Sequence, residues 1–400
     1  MKEFTYLIVG NGMTADAAAR GIRERDAGGT IGIIGSEPRE PYFRPPLTKS
    51  LWQGTDEGSI WCGTSELSGV EILHGREIVE VDPDRKNAKD DRDEAYTWQK
   101  LLLATGGAPR ELPNTSDKGI LYYRNLDDYH TLRRKVQQEG TRVLVIGGGF
   151  IGSEIAAALT MNGVQVTMVF PESGICGRIF PNELSDYLNQ YFEEQGVKVL
   201  SGTTVEELNT FEEVYELRTT TGANIEAHVV VAGLGINPST RLAEELGLEV
   251  DDGVQVDKYL RTSHSEVYAA GDVANFYNSD LNRRLRVEHD DNTQVMGRTA
   301  GYNMAGGQRE YEYLPLFYAD LFDLGYEAVG VTGSGMDVVT HWEQFAQKGI
   351  IFYLQDERVQ GIIFWNVWDM VDKGRELIAE GNRHDEQTLG TWYKENITQA

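Results

Sequence analysis

The sequence predicts an α/β chain of two Rossmann-like nucleotide-binding domains plus a C-terminal α+β domain. Three observations carry this. Two glycine-rich turns, Gly10-Asn11-Gly12-Met13-Thr14-Ala15 and Gly147-Gly148-Gly149-Phe150-Ile151-Gly152, each follow an apolar run and open a helix-like stretch. An acidic residue, Glu37 or Glu172, closes a second apolar run about 20 residues beyond each turn. From Tyr311 onward, apolar and polar runs alternate in the manner of antiparallel strands.

In chain order, Tyr6-Leu7-Ile8-Val9 reads as a buried parallel strand. Gly10 permits the tight turn after it, Gly12 lets the backbone approach a pyrophosphate, and the small Ala15 lets the helix sit against its strand. The pyrophosphate would rest on the helix N-terminus, and Glu37 would accept from a ribose hydroxyl. Glu77 to Val81 and Ala95 to Leu103 read as strands, with the charged stretch Asp82 to Glu94 as the hairpin tip between them. Leu101 to Pro109 is an apolar strand running through Ala104-Thr105-Gly106 into a turn, and Pro113 and Gly119 mark a linker.

Val143-Leu144-Val145-Ile146 opens the second unit, where Gly147, Gly149 and Gly152 take the three glycine positions and Val166 to Phe170 leads to Glu172. Val229 to Pro238 then repeats the order of strand, glycine and proline through Gly235. Such repetition points to two similar domains. Thr262 to Asp272 is a buried strand ending in Gly271-Asp272, where the acid would accept from a ribityl hydroxyl and the next helix would face a phosphate. Gly349 to Leu354 and Val359 to Trp365 read as a hairpin around Gln355-Asp356-Glu357-Arg358, followed by a helix from Asp369 to Glu380. The expected domains are residues 1–112 with 245–308, residues 113–244, and residues 309–400.

Composition excludes more than it proves. A chain of 400 residues holds two or three domains. Its net charge of -26 argues against attraction to nucleic acid or an anionic membrane. No run reaches the roughly 18 apolar residues that span a bilayer, and Met1-Lys2-Glu3-Phe4 enters the first strand directly, so the expected location is cytoplasmic. Cys62 and Cys176 form no Cys-x-x-Cys pair, which argues against a typical disulfide reductase and favours two separate thiols over a bridge. The seven histidines and two cysteines show no metal-ligand cluster.

Taken together, these residues resemble the FAD-dependent pyridine nucleotide oxidoreductases, in the ferredoxin/rubredoxin reductase and apoptosis-inducing-factor branch, with glutathione-reductase-like nucleotide domains. Pro41-Tyr42-Phe43-Arg44-Pro45-Pro46-Leu47-Thr48-Lys49 resembles that branch's Arg-Pro-Pro-Leu-Ser-Lys signature. Arg286-Val287-Glu288-His289-Asp290 and Gly325-Tyr326-Glu327-Ala328 resemble its apoptosis-inducing-factor side. The resemblance implies FAD on the first unit, held by Gly10, Gly12, Ala15, Glu37, Arg44, Pro45, Lys49, Ala104, Thr105, Gly106, Gly271, Asp272, His289 and Tyr318. It implies NADH on the second, held by Gly147, Gly149, Gly152, Glu154, Glu172 and Gly235.

By the same resemblance, hydride passes from nicotinamide to flavin. Lys49 lies beside the flavin and pairs with Glu154, Phe150 gates the nicotinamide, and His289 lies near both rings. One segment departs from the branch: Phe317-Tyr318-Ala319-Asp320 stands where Phe-Trp-Ser-Asp is usual, so Tyr318 replaces a flavin-edge tryptophan. Glu172 would repel a 2′-phosphate, so NADH is expected over NADPH, with Arg178 as the nearby cation able to meet such a phosphate. The implied activity is NADH oxidation with electrons passed to a ferredoxin or rubredoxin, or to a quinone. Arg283, Arg284 and Arg286 are a candidate dock for an acidic carrier, and homodimerisation stays open. The alternative is an NADH-responsive protein similar to apoptosis-inducing factor, holding a long-lived charge-transfer complex and changing assembly state.

Overall fold

Lys2–Val9 is an inner strand of a seven-stranded sheet, with Ile31–Gly35 and Ala95–Leu103 parallel on either side of it. Val70–His74 extends the sheet beyond Ile31–Gly35, and Val267–Ala269 joins Ala95–Leu103 in parallel. Strands covered on both faces need apolar residues without alternation, and Leu7, Ile8, Ile31, Ile33, Leu101 and Leu102 are all fully buried. The computed structural model describes residues 1–113, 119–211 and 214–397. Two units divide the chain: Met1–Arg44 with Asp56–Ala108 and Asn237–Leu316, and Pro45–Thr55 with Pro109–Ile236 and Phe317–Ala400.

In the first unit, helices Met13–Arg23 and Asp290–Met304 cross with their backbones almost touching. A Cβ at Gly301 would stand 1.9 Å from the Ala18 carbonyl oxygen, and one at Gly21 would stand 2.0 Å from that of Arg298. Glycine at both positions is what allows the crossing.

The segment expected as a hairpin tip contains a strand of its own. Asn87–Asp90 pairs antiparallel with both Ile78–Asp82 and Ala95–Leu103, giving a meander. Charge density hides this strand because its inward polar group is satisfied. The buried Asp90 carboxylate accepts from the Tyr96 hydroxyl at 2.6 Å, from Arg76 at 2.7 Å and from the amides of Arg92 and Glu94 at 2.9 Å each. Burial opposes its charge, yet these donors hold its pKa down to about 2.

In the second unit, Lys198–Leu200, Gln165–Val169, Arg142–Ile146 and Val229–Ala232 form a parallel sheet in that order. Val205–Phe211, Val214–Thr219 and Asn224–Ala227 form a separate antiparallel sheet. The C-terminal sheet runs Leu316–Leu321, Leu324–Gly330, Arg358–Trp365, Lys348–Gln355, Asp337–Gln344. Tyr326 lies opposite Trp365 in register, their rings stacked at 5.6 Å, and Phe180 meets both edge-on.

The C-terminal hairpin turns at Asp356-Glu357, both at positive φ (52° and 64°), as a two-residue turn between twisted strands requires. The following helix spans Val371–Glu380, because Asp369 at φ 62° is left-handed and cannot begin it. A further helix, Glu386–Asn396, starts at a capping box made by Asp385 and Thr388. Residues 114–118 of the expected linker lie outside the described residues. Among the described residues no helix is long and apolar enough to cross a membrane.

Candidate functional site

In the first unit three parallel strands end side by side, with Val9 and Ala269 both opposite Leu103. Gly10, Ala104 and Gly271 therefore leave one edge of the sheet, where open α/β sheets bind ligands. Gly10 has φ 115°, and a Cβ there would stand 2.1 Å from the Ala104 carbonyl oxygen. Gly12 precedes helix Met13–Arg23 with no side-chain cap, so its first amides point at an anion's place, while Ala15 is fully buried beneath. The Asn11 amide donates to the carbonyl oxygens of Glu37 at 2.9 Å and Arg39 at 2.8 Å, tying the acid's segment to the turn.

The Glu37 carboxylate accepts from the Tyr42 hydroxyl at 2.7 Å and from the Arg44 guanidinium. A Cβ at Gly12 would stand 3.9 Å from that guanidinium, which places a cation beside the glycine turn. Burial works against the charge on Arg44, but Glu37, Tyr42 and Asp272 outweigh it and raise its pKa. The Thr105 hydroxyl donates to the Ser239 carbonyl at 2.8 Å, and the Gly106 carbonyl accepts from the Ser239 amide at 3.0 Å. Asp272 is buried, and Gly271 packs on Thr14 so closely that a Cβ would lie 2.3 Å from its hydroxyl oxygen. His289 precedes helix Asp290–Met304. Burial pushes its imidazole down to about 4, with Asp272 pulling the other way, so it is neutral near pH 7.

The second unit repeats the cradle. A Cβ at Gly147 (φ 115°) would stand 2.3 Å from the Gly233 carbonyl oxygen, and one at Gly152 would stand 2.0 Å from that of Gly147. Gly149 precedes helix Phe150–Met161 without a side-chain cap. The Gly235 carbonyl accepts from the Arg110 amide at 2.9 Å. Phe150 meets Phe317 edge-on at 5.3 Å.

Glu154 is buried on that helix, and both its oxygens are taken. The Thr48 hydroxyl donates to Oε2 at 2.7 Å and the Lys49 ammonium to Oε1. Lys49 also lies 3.2 Å from Asp320 Oδ2 and 4.8 Å from the centre of the Tyr318 ring. Burial opposes the charge on Lys49, but Glu154 and Asp320 outweigh it and raise its pKa. The Pro45 carbonyl accepts from the Thr48 amide at 3.3 Å in the short turn that presents these residues. Pro45, Lys49 and Tyr318, expected with FAD, thus belong to the same unit as the residues expected with NADH.

Two readings change with the structure, and the expectation of two separate thiols holds. Arg178 pairs with Glu172, so the cation that could meet a 2′-phosphate is engaged by the carboxylate that would repel one. The arginine dock is reduced: Arg283 and Arg284 are exposed, Arg284 also donating to the Asn275 carbonyl at 2.8 Å, but Arg286, its side chain 7% exposed, pairs with Asp252 and Glu288. Both cysteines are free, and burial raises each to about 12, so neither is a thiolate near pH 7. Sequence reasoning missed Asn11, Tyr42, Thr48 and Asp320. Tyr42 and Thr48 lie inside the signature segment and Asp320 inside the departing one, so those motifs held the only signal.

Two glycine cradles, each feeding an uncapped helix N-terminus with an acid beyond the second strand, fit one dinucleotide in each unit. They define an oxidoreductase with two nucleotide cofactors. The chain belongs to the pyridine nucleotide-disulphide oxidoreductase family, whose profile matches residues 4–297. A second profile, for the mitochondrion-associated C-terminal part of apoptosis-inducing factor, matches residues 340–380.

Mitochondrial apoptosis-inducing factor 1 of Dictyostelium discoideum is 34% identical over 421 residues, covering 95% of this chain and 79% of that protein. The ferredoxin–NAD(+) reductase component of the anthranilate 1,2-dioxygenase system of Burkholderia cepacia is 29% identical, covering 96% of each. Among solved structures, a covalent putidaredoxin reductase–putidaredoxin complex matches with a TM-score of 0.90 and 26% identity, covering 98% of this chain and 96% of that one. The protein is an FAD-dependent NAD(P)H oxidoreductase. The cytoplasmic expectation is corrected: the C-terminal profile and the Dictyostelium relative point to mitochondrial association.

Proposed function

We propose that the protein oxidises NADH and passes the electrons to a small ferredoxin-type carrier. The likeness, along nearly the whole chain, to a reductase solved in complex with putidaredoxin and to ferredoxin reductases carries this reading. The absence of a Cys-x-x-Cys pair, which leaves no dithiol to relay electrons to a disulfide, supports it. Bound FAD supplies the step between a two-electron donor and a one-electron acceptor.

The geometry within each unit supports the following roles. Residues 1–112 and 245–308 bind FAD: Gly10, Gly12 and Ala15 seat its pyrophosphate on helix Met13–Arg23, with Arg44 beside it. Glu37 and Asp272 accept from its hydroxyls, and Ala104, Thr105, Gly106 and Gly271 shape the sheet edge. His289 offers a neutral imidazole. Residues 113–244 bind NADH: Gly147, Gly149 and Gly152 seat its pyrophosphate, Gly235 borders the site, and Glu172 accepts from its ribose through Oε2 while Arg178 holds Oε1. Pro45 positions Lys49, which together with Glu154 and Tyr318 serves the reacting rings, and Phe150 screens the nicotinamide.

The test is an anaerobic NADH titration followed by mixing with ferredoxins, rubredoxin and quinones while the flavin spectrum is recorded. Fast reoxidation by an iron–sulfur carrier is the expected result; reoxidation by quinones alone would refute the carrier. The match of residues 340–380 and the Dictyostelium relative favour a second reading, an NADH-responsive protein. A persistent long-wavelength band with a changed elution volume would select it.

A further inference from the structure

The strand Leu316–Leu321 alternates: Phe317, Ala319 and Leu321 are buried, while Tyr318 and Asp320 face outward together. Both outward residues converge on Lys49. Asp320 Oδ2 lies 3.2 Å from its nitrogen, and the Tyr318 ring centre lies 4.8 Å away. From the other side Glu154 holds the same ammonium, and the Thr48 hydroxyl fixes Glu154 at 2.7 Å. Lys49 is 13% exposed and shared between a buried carboxylate, 6% exposed, and a half-exposed one at 51%.

We infer that Asp320 is a positioning residue: with Tyr318 it holds the Lys49 ammonium charged and aimed from the C-terminal sheet, against the place Glu154 sets from the nucleotide helix. The inference rests on the reading that Lys49 and Glu154 serve the reacting rings. The physical reason is desolvation. Burial penalises an ammonium and a carboxylate alike, and it pushes the Glu154 carboxyl up while Lys49 and Thr48 pull it back. Glu154 alone is therefore a weak guarantor of charge on Lys49, whereas Asp320, half in water, bears a smaller desolvation cost. The other titratable groups facing Glu154 are Cys176 and Tyr326, both raised by burial and neutral across the working range. Asp320 thus supplies the second negative charge in contact with Lys49.

Competitive acetylation of lysines by acetic anhydride at pH 9, read by mass spectrometry on the FAD-loaded protein, tests this. A lysine reacts through its neutral fraction, which grows about tenfold for each unit its pKa falls. The isosteric Asp320→Asn should lower the Lys49 pKa and label its peptide severalfold faster, about tenfold. The exposed Lys2 and Lys348 should hold their rates, and Asp320→Glu should return Lys49 to the wild-type rate. Unchanged Lys49 labelling in Asp320→Asn would overturn the inference, as would equal acceleration at all three lysines, which reports loosening. Failure of the underlying reading shows separately: Lys49→Met would then reduce its flavin with NADH at the wild-type rate, whatever the labelling result.

Discussion

At the residue scale, the nucleotide acids show how much one side chain decides. Glu172, which in the proposed NADH site would repel a 2′-phosphate, also occupies Arg178. Glu172→Ala removes the repulsion and frees the cation, so the kcat/KM preference for NADH over NADPH should shrink by about tenfold or more, roughly 1.4 kcal/mol of discrimination. Steady-state kinetics with both cofactors check this, and an unchanged ratio would remove Glu172 from the ribose site. Glu172 was legible in the sequence because its spacing from the glycine turn is set by one helix and one strand. Asp320 and Thr48 were not, because their shared cluster joins the signature turn, a nucleotide helix and a strand of another sheet. Spacing carries no information across such distances.

At the element scale, helices Met13–Arg23 and Asp290–Met304 meet through glycine. Gly301→Val forces a side chain into the Ala18 carbonyl, so the helices must part. We expect a loss of about 3 kcal/mol or more in stability and weaker FAD retention, seen as a lower melting temperature and faster flavin release. The C-terminal helix Glu386–Asn396 carries a pH effect. His341 stacks on its Tyr393 at 5.6 Å, and a Cβ at Gly390 would lie 3.0 Å from the imidazole. Burial lowers the His341 pKa, with Lys394 adding to this and Glu386 opposing it.

A histidine with a lowered folded pKa contributes stability that is complete above its ordinary value near 6.5 and lost as pH falls from there toward the folded value. Hydrogen exchange in this helix, corrected for intrinsic rates, should therefore quicken between pH 7.5 and 5.5, and His341→Phe should abolish the change. Equal protection at both pH values would show that His341 does not hold the helix. The strands, turns and helices legible in advance were those with local punctuation. Asn87–Asp90 escaped because Asp90 is charged yet points inward, satisfied by partners brought to it by neighbouring strands.

For the whole molecule, charge governs the encounter. With a net charge of -26, and with Arg286 of the candidate patch turned inward so that only Arg283 and Arg284 stay exposed, an acidic ferredoxin approaches against repulsion. Raising ionic strength from about 10 mM to about 150 mM shortens the screening length from roughly 30 to 8 Å, so reduction of such a carrier should speed up severalfold. A fall in rate would show that a local cationic surface outweighs the net charge.

The sequence by itself determined the two nucleotide units, because strand, glycine turn, helix and acid are all constrained by local backbone geometry. It also supplied the C-terminal hairpin, through period-two alternation, and the pairing of Lys49 with Glu154, through resemblance to relatives. Only the tertiary structure decided what shares those charges: Asp320 and Tyr318 on Lys49, Thr48 on Glu154, Arg178 on Glu172. Local steric rules act over a few residues, whereas a buried charge is stabilised by whichever groups folding brings within about 4 Å, and that proximity is a property of the packed chain.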